Sequence, residues 1–135
     1  MSQKLIQQTP AGSRMIQGVD VVFLHTHDRD LSHWYAEILG LEVKLQDGDW
    51  TEFETGCQTR FAIENIPDSH SPVESQPIMV SFRVDDIHQA VNELSARGIH
   101  FHPSPETTIF SAGPSLVATF QDPTGNWLQL SQPKA

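Results

Sequence analysis

Cysteine is nearly absent from this 135-residue chain, where Cys57 stands alone. No intramolecular disulfide and no cysteine metal cluster can form, and an unpaired thiol suits a reducing compartment, so the cytoplasm is the expected location. Cations are scarce as well. Eight lysines and arginines face seventeen aspartates and glutamates, for a formal net charge of −9. That balance argues against nucleic acid and anionic membranes as partners, since both are bound through basic patches. No apolar run approaches the roughly 20 residues of a membrane span. The first seventeen residues, MSQKLIQQTPAGSRMIQ, lack the apolar stretch of a secretory leader and read as a loosely ordered polar tail over 1–17.

What the chain does have is a repeat. VVFLHTHD at 21–28 is followed after twelve residues by Gly40, and MVSFRVDD at 79–86 is followed after twelve residues by Gly98, an offset of 58. In each copy an apolar run ends in an acidic cluster, an amphipathic segment follows, and a glycine stops it. A fixed period of this kind marks a duplicated supersecondary unit. The length suits one domain built of two modules.

The first module, 18–64, reads as a strand over 19–26, a helix through LSHWYAEIL capped by Asp28 or Asp30, and three short strands at 41–45, 50–54 and 59–64. Residues 65–77, with three prolines and three serines, read as a linker. The second module, 78–131, opens with a strand over 78–84. A helix follows over 87–97 with Asp85 or Asp86 as cap and Ile87, Ala90, Val91 and Leu94 on one face. A strand at 99–102, the loop PSPETTIFSAGPS, and strands at 116–121 and 126–131 complete it. Both modules are therefore βαβββ, an α+β arrangement.

Strand residues alternate faces. Val21, Phe23, His25 and His27 share one side, and Met79, Ser81, Arg83 and Asp85 are their equivalents in the second copy. Val80, Phe82 and Val84 form a more uniformly apolar side that should pack a helix. The mixed side should line a concave face that holds a small molecule.

Three segments carry a likeness: LSHWYAEILGLEV at 31–43, FRVDDI at 82–87 with its helix ending at ARGI, and FQDPTGNWLQL at 120–130. With the repeat spacing they resemble the glyoxalase, bleomycin-resistance protein and extradiol dioxygenase group, the vicinal oxygen chelate superfamily. The resemblance implies paired βαβββ modules in a half-open mixed-sheet barrel with helices outside, and commonly a homodimer. It also implies metal ligands, in the family's enzymes, at one position on the first and last strand of each module. Carried over, these fall on Val21, Ala62, Met79 and Gln129, of which only Gln129 offers a suitable donor. A shift of two residues would bring Glu64 into the slot of Ala62.

The expected function is therefore metal-independent binding of a small polar or aromatic ligand, with no cofactor. The site residues would be Val21, Phe23, His25, Trp50, Ala62, Met79, Ser81, Arg83 and Gln129. In this reading Arg83 is a fixed charge for a carboxylate or carbonyl, His25 a switchable donor or acceptor, and Gln129 an orienting amide. The alternative is a metal-dependent lyase, isomerase or dioxygenase of the same group, using a divalent ion on a non-standard set drawn from Gln129, Glu64 and the histidines. A third reading makes the sheet edges a subunit interface only.

Other features have structural explanations. DPTGN at 122–126 suits a tight turn, and the paired aspartates suit helix caps. His25 with His27, and His100 with His102, are spaced to share a strand face and could form a displaced metal site. Trp34 is expected in the core, while Trp50 or Trp127 could wall the cavity; Glu52 and Glu54 share the face of Trp50. Cys57 has no neighbouring His or cation to activate it as a nucleophile.

Overall fold

A computed structural model describes residue 6 and residues 14–67, 72–104 and 107–134. Most of the expected tail over 1–17, residues 68–71 of the linker and residues 105–106 of the later loop lie outside the described residues. Among the described residues no helix is long and apolar enough to cross a membrane.

The elements are β1 (Ile16–Thr26), α1 (Leu31–His33) running into a π-helical turn (Trp34–Ile38), β2 (Val43–Asp47), β3 (Trp50–Phe53), β4 (Arg60–Asn65) and β5 (Ile78–Val84). They continue with α2 (Ile87–Ala96), β6 (Phe101–His102), β7 (Ile109–Ala112), β8 (Ser115–Gln121) and β9 (Trp127–Pro133). All nine strands join one mixed sheet in the order β2-β3-β4-β1-β5-β9-β8-β6, with β7 also on β8. The two modules lie side by side in this sheet, which does not close into a barrel. In each, the first strand runs parallel to the last: β1 beside β4 and β5 beside β9.

The modules join where β1 pairs antiparallel with β5. Val22 stands opposite Val80, its own equivalent in the repeat. A local twofold axis therefore passes between these two valines, and equivalent positions recede from it in opposite directions along the sheet.

Helix α2 forms as its spacing dictates. Asp86 accepts from the Gln89 backbone N–H as N-cap, and Gly98, at a φ of +97°, takes the left-handed backbone that ends the helix. Ile87 and Ala90 are buried against Val84, Phe101, Ala118, Phe120 and Leu130, with Phe82, Val91 and Leu94 packed around them. The apolar face of β5 thus meets its helix.

The first helix departs from expectation. Instead of a regular helix, one α turn gives way to a π turn in which the Leu39 N–H reaches the Trp34 carbonyl at 3.1 Å. The wider turn puts Tyr35 over the sheet, against Phe53 and Phe61 at ring separations of 6.1 and 5.4 Å. Trp34, expected in the core, is 48% exposed. Asp30 makes no side-chain cap; Asp28 Oδ1 instead accepts from the Asp30 N–H at 2.9 Å. The loop after β6 also contains a strand, β7, that its prolines and glycine concealed.

Candidate functional site: a two-module cavity with a charged wall

A cavity of about 370 Å³ opens on the sheet face opposite α2, within the size range of small-molecule sites. Val21, Phe23 and His25 of β1 contribute one strip of its lining and Met79 of β5 another. Trp50 and Glu52 enter from β3, Arg60 and Glu64 from β4, and Val117, Gln129 and Ser131 from β8 and β9. Val73 and Glu74 of the segment between the modules add a further wall. Phe23 and Trp50 meet at a centroid distance of 5.1 Å, tilted by 57°, and form its aromatic floor with Val21 and Met79.

Alternation on β4 explains the polar wall. Arg60 and Glu64 flank Ala62 on one face. Ala62, with no exposed surface, packs with Val21, Phe23 and Met79. Arg60 Nη1 donates to Glu52 Oε1 at 3.0 Å and Nη2 to Asp20 Oδ2 at 2.8 Å. Asp20 Oδ2 also accepts from Ser131 Oγ at 2.7 Å, and Ser81 Oγ donates to Ser131 Oγ at 2.9 Å. Trp50 Nε1 donates to Glu52 Oε1 at 3.4 Å. Asp20 joins this network because a bulge interrupts the pairing of β1 between Val19 and Val21; a bulge re-aims side chains that simple alternation would send elsewhere.

His25 holds the other end of the wall. Its Nε2 lies 3.3 Å from Glu64 Oε1 and its Nδ1 3.0 Å from the Gln76 carbonyl oxygen, with the His side chain only 5% exposed. Burial works against charge on this ring, but the Glu64 and Gln76 contacts, with the negative charge of Glu64 and Glu74 nearby, outweigh it and raise the pKa above its ordinary value. Gln76 anchors the linker here. Its Nε2 donates to the Trp127 carbonyl at 3.0 Å and its Oε1 accepts the Trp127 N–H at 2.8 Å.

Of the residues singled out in the sequence, Val21, Phe23, His25, Trp50, Met79 and Gln129 line this cavity. Ala62 and Ser81 lie beneath its surface, each with no exposed area. Arg83 is not in the lining; its Nη2 donates to the Gln17 carbonyl at 3.1 Å and folds over Gly18, where a Cβ would sit 3.4 Å from it. The local twofold explains this, because residues 25 and 83 lie three positions from the axis in opposite directions. Among the described residues, Arg60 is the guanidinium that the cavity contains, together with Glu52, Glu64 and Glu74. The signal for it in the sequence was the alternation of Arg60, Ala62 and Glu64, and of Trp50 with Glu52.

The paired histidines do not assemble. His27 Nδ1 lies 2.9 Å from the Ile66 carbonyl oxygen, His100 is exposed, and His102 packs edge-on to Trp127 at 5.5 Å. Among the described residues no group of three or more His, Cys, Asp or Glu side chains is placed to hold a metal ion. At the four positions where the resemblance puts ligands, Val21 and Ala62 bring hydrocarbon, Met79 a thioether and Gln129 one amide oxygen. That donor set does not fit a divalent ion, which takes nitrogen, oxygen or thiolate donors in a shell of about four or more. Cys57 is exposed, and hydrogen bonding with the Thr55 side chain and the Thr59 backbone lowers its pKa, but it lies outside the cavity lining.

A search of the curated proteins finds no match. Among solved structures, methylmalonyl-CoA epimerase from Mycobacterium tuberculosis superposes with a TM-score of 0.66 at 17% identity, covering 91% of this chain and 92% of that one. A variant of Streptomyces coelicolor methylmalonyl-CoA epimerase in complex with 2-nitronate-propionyl-CoA gives 0.70 at 14% identity, over 89% and 99% of the two chains. A glyoxalase/bleomycin resistance protein/dioxygenase superfamily member from Vibrio splendidus 12B01 gives 0.52 at 21% identity, over 84% and 97%. At these identities the likeness is one of fold. The family model for the Glyoxalase/Bleomycin resistance protein/Dioxygenase superfamily matches residues 19–130, and the chain belongs to that superfamily.

Proposed function

We propose that this chain is a small-molecule-binding member of its superfamily that works without a metal ion. The observation that carries the reading is the contrast within one cavity. A concave, aromatic-floored space spans both modules, while three of the four positions at which metal ligands would stand are Val21, Ala62 and Met79. Apolar side chains there favour the burial of a ligand's hydrocarbon over the coordination of its oxygens. Gln129 supplies hydrogen bonds that orient it.

The test uses the full chain, dialysed against a strong chelator, and naphthylmethanol as a neutral probe of the cavity. Calorimetric titration before and after chelation should give the same affinity, and elemental analysis should find no stoichiometric transition metal. One tightly held ion per chain, lost together with probe binding on chelation, would overturn the reading in favour of a metal-dependent enzyme.

A further inference from the structure

The lining of the cavity carries charge of predominantly one sign. Asp47, Glu52, Glu64 and Glu74 face it, against Arg60 and His25 as its cationic groups. Both cations are already paired with carboxylates. Arg60 commits Nη1 to Glu52 and Nη2 to Asp20, and His25 is held between Glu64 and the Gln76 carbonyl. A carboxylate or phosphate would enter a negative field and meet cations already paired with carboxylates.

Glu52 makes the opposite demand. Its side chain is 5% exposed. Oε1 accepts from both Arg60 and Trp50, whereas Oε2 has no hydrogen-bond partner among the described residues. Oε2 keeps some solvent exposure and faces the open cavity, where a donor on a ligand can reach it. Glu74, on the linker wall, and Asp47, at the end of β2, make no ion pair among the described residues and add to the field. Beside Glu52 stand the indole of Trp50 and the ring of Phe23, whose negative faces attract cations and whose area suits a flat hydrocarbon body.

We infer that the cavity selects an organic cation, with a nitrogen donating to Glu52 Oε2 and a flat apolar body against Trp50 and Phe23. This rests on the small-molecule reading above and adds the class of ligand to it. Glu52 and Glu74 are the residues that set the preference, and Trp50 supplies the wall against which the body lies.

Calorimetric titration of the full chain with three probes of one shape decides the matter: naphthylmethylammonium, naphthylmethanol and naphthylacetate. The ammonium should bind at least about tenfold more tightly than the alcohol, with the acetate weakest. Glu52→Gln should narrow the gap between ammonium and alcohol. Glu74→Gln, at the more exposed wall, should narrow it too and serves if the buried substitution impairs folding. Alcohol or acetate binding as tightly as the ammonium overturns the cation preference and leaves the small-molecule reading standing. Failure of all three to bind overturns both. A preference for ammonium untouched in both variants overturns the assignment of Glu52 and Glu74.

Discussion

His25 Nδ1 faces the Gln76 carbonyl oxygen at 3.0 Å while its Nε2 faces the Glu64 carboxylate at 3.3 Å. A carbonyl oxygen can only accept, so Nδ1 carries a proton in either charge state; Nε2 then meets the carboxylate favourably when it is protonated as well. The folded pKa of His25 is raised above 6.5. Its contribution to stability is therefore complete below the unfolded value and is lost as pH rises through the folded value. Urea denaturation from about pH 5 to 8 should show wild type losing stability with rising pH more steeply than His25→Gln. Parallel profiles would refute the assignment.

Arg60 neutralises two nearly buried carboxylates, Asp20 and Glu52, whose side chains are 9% and 5% exposed. Removing the guanidinium leaves both uncompensated. Arg60→Gln should lower unfolding stability by about 3 kcal/mol at neutral pH, measured by the shift of the denaturant midpoint at constant slope. A loss within experimental error would show that water enters the wall freely.

The turn between β8 and β9 is organised by Asp122. Its carboxylate accepts from the side chain and backbone N–H of Asn126 and from the Thr124 N–H, contacts that lower its pKa to about 2. Because that value is depressed from 3.8, the stabilisation is present above the unfolded value and fades as pH falls through about 2. Acid titration followed by circular dichroism should find Asp122→Ala unfolding at higher pH than wild type. Coincident transitions would remove the turn from the account.

Core and surface should separate cleanly. Leu130 has no exposed surface, whereas Ile38 is 72% exposed. Leu130→Ala should cost about 2–5 kcal/mol through lost burial and a residual cavity, and Ile38→Ala within about 0.5 kcal/mol. A comparable cost at Ile38 would reveal that its face is covered in solution.

Much of this was legible because a duplicated period is a long-range signal. The offset between the two runs places two first strands, two helices and two concave faces before any contact is known, and alternation brings Val21, Phe23, His25 and Met79 to one side. Asp20 and Arg83 share a cause, in that the place of each depends on pairing geometry. Asp20 reaches the polar wall through a bulge invisible to period-two reasoning. Arg83 is the repeat equivalent of His25, yet antiparallel pairing carries equivalent positions apart. Trp34 turns outward, and its neighbour Tyr35 packs over the sheet, where one widened helical turn replaces the regular helix.

The valine pair at the local twofold has one further consequence. The frame on either side of it is duplicated, yet among the described residues every charged group that β1 to β4 and the linker bring to the cavity lacks a charged counterpart in the lining from β5 to β9, which consists of Met79, Val117, Gln129, Ser131 and residues 112–115. A symmetric scaffold thus presents a polarised interior. A ligand with two unlike ends would be held in one direction only, head toward the first module and tail toward the second, and even a two-headed molecule would be gripped by a single head.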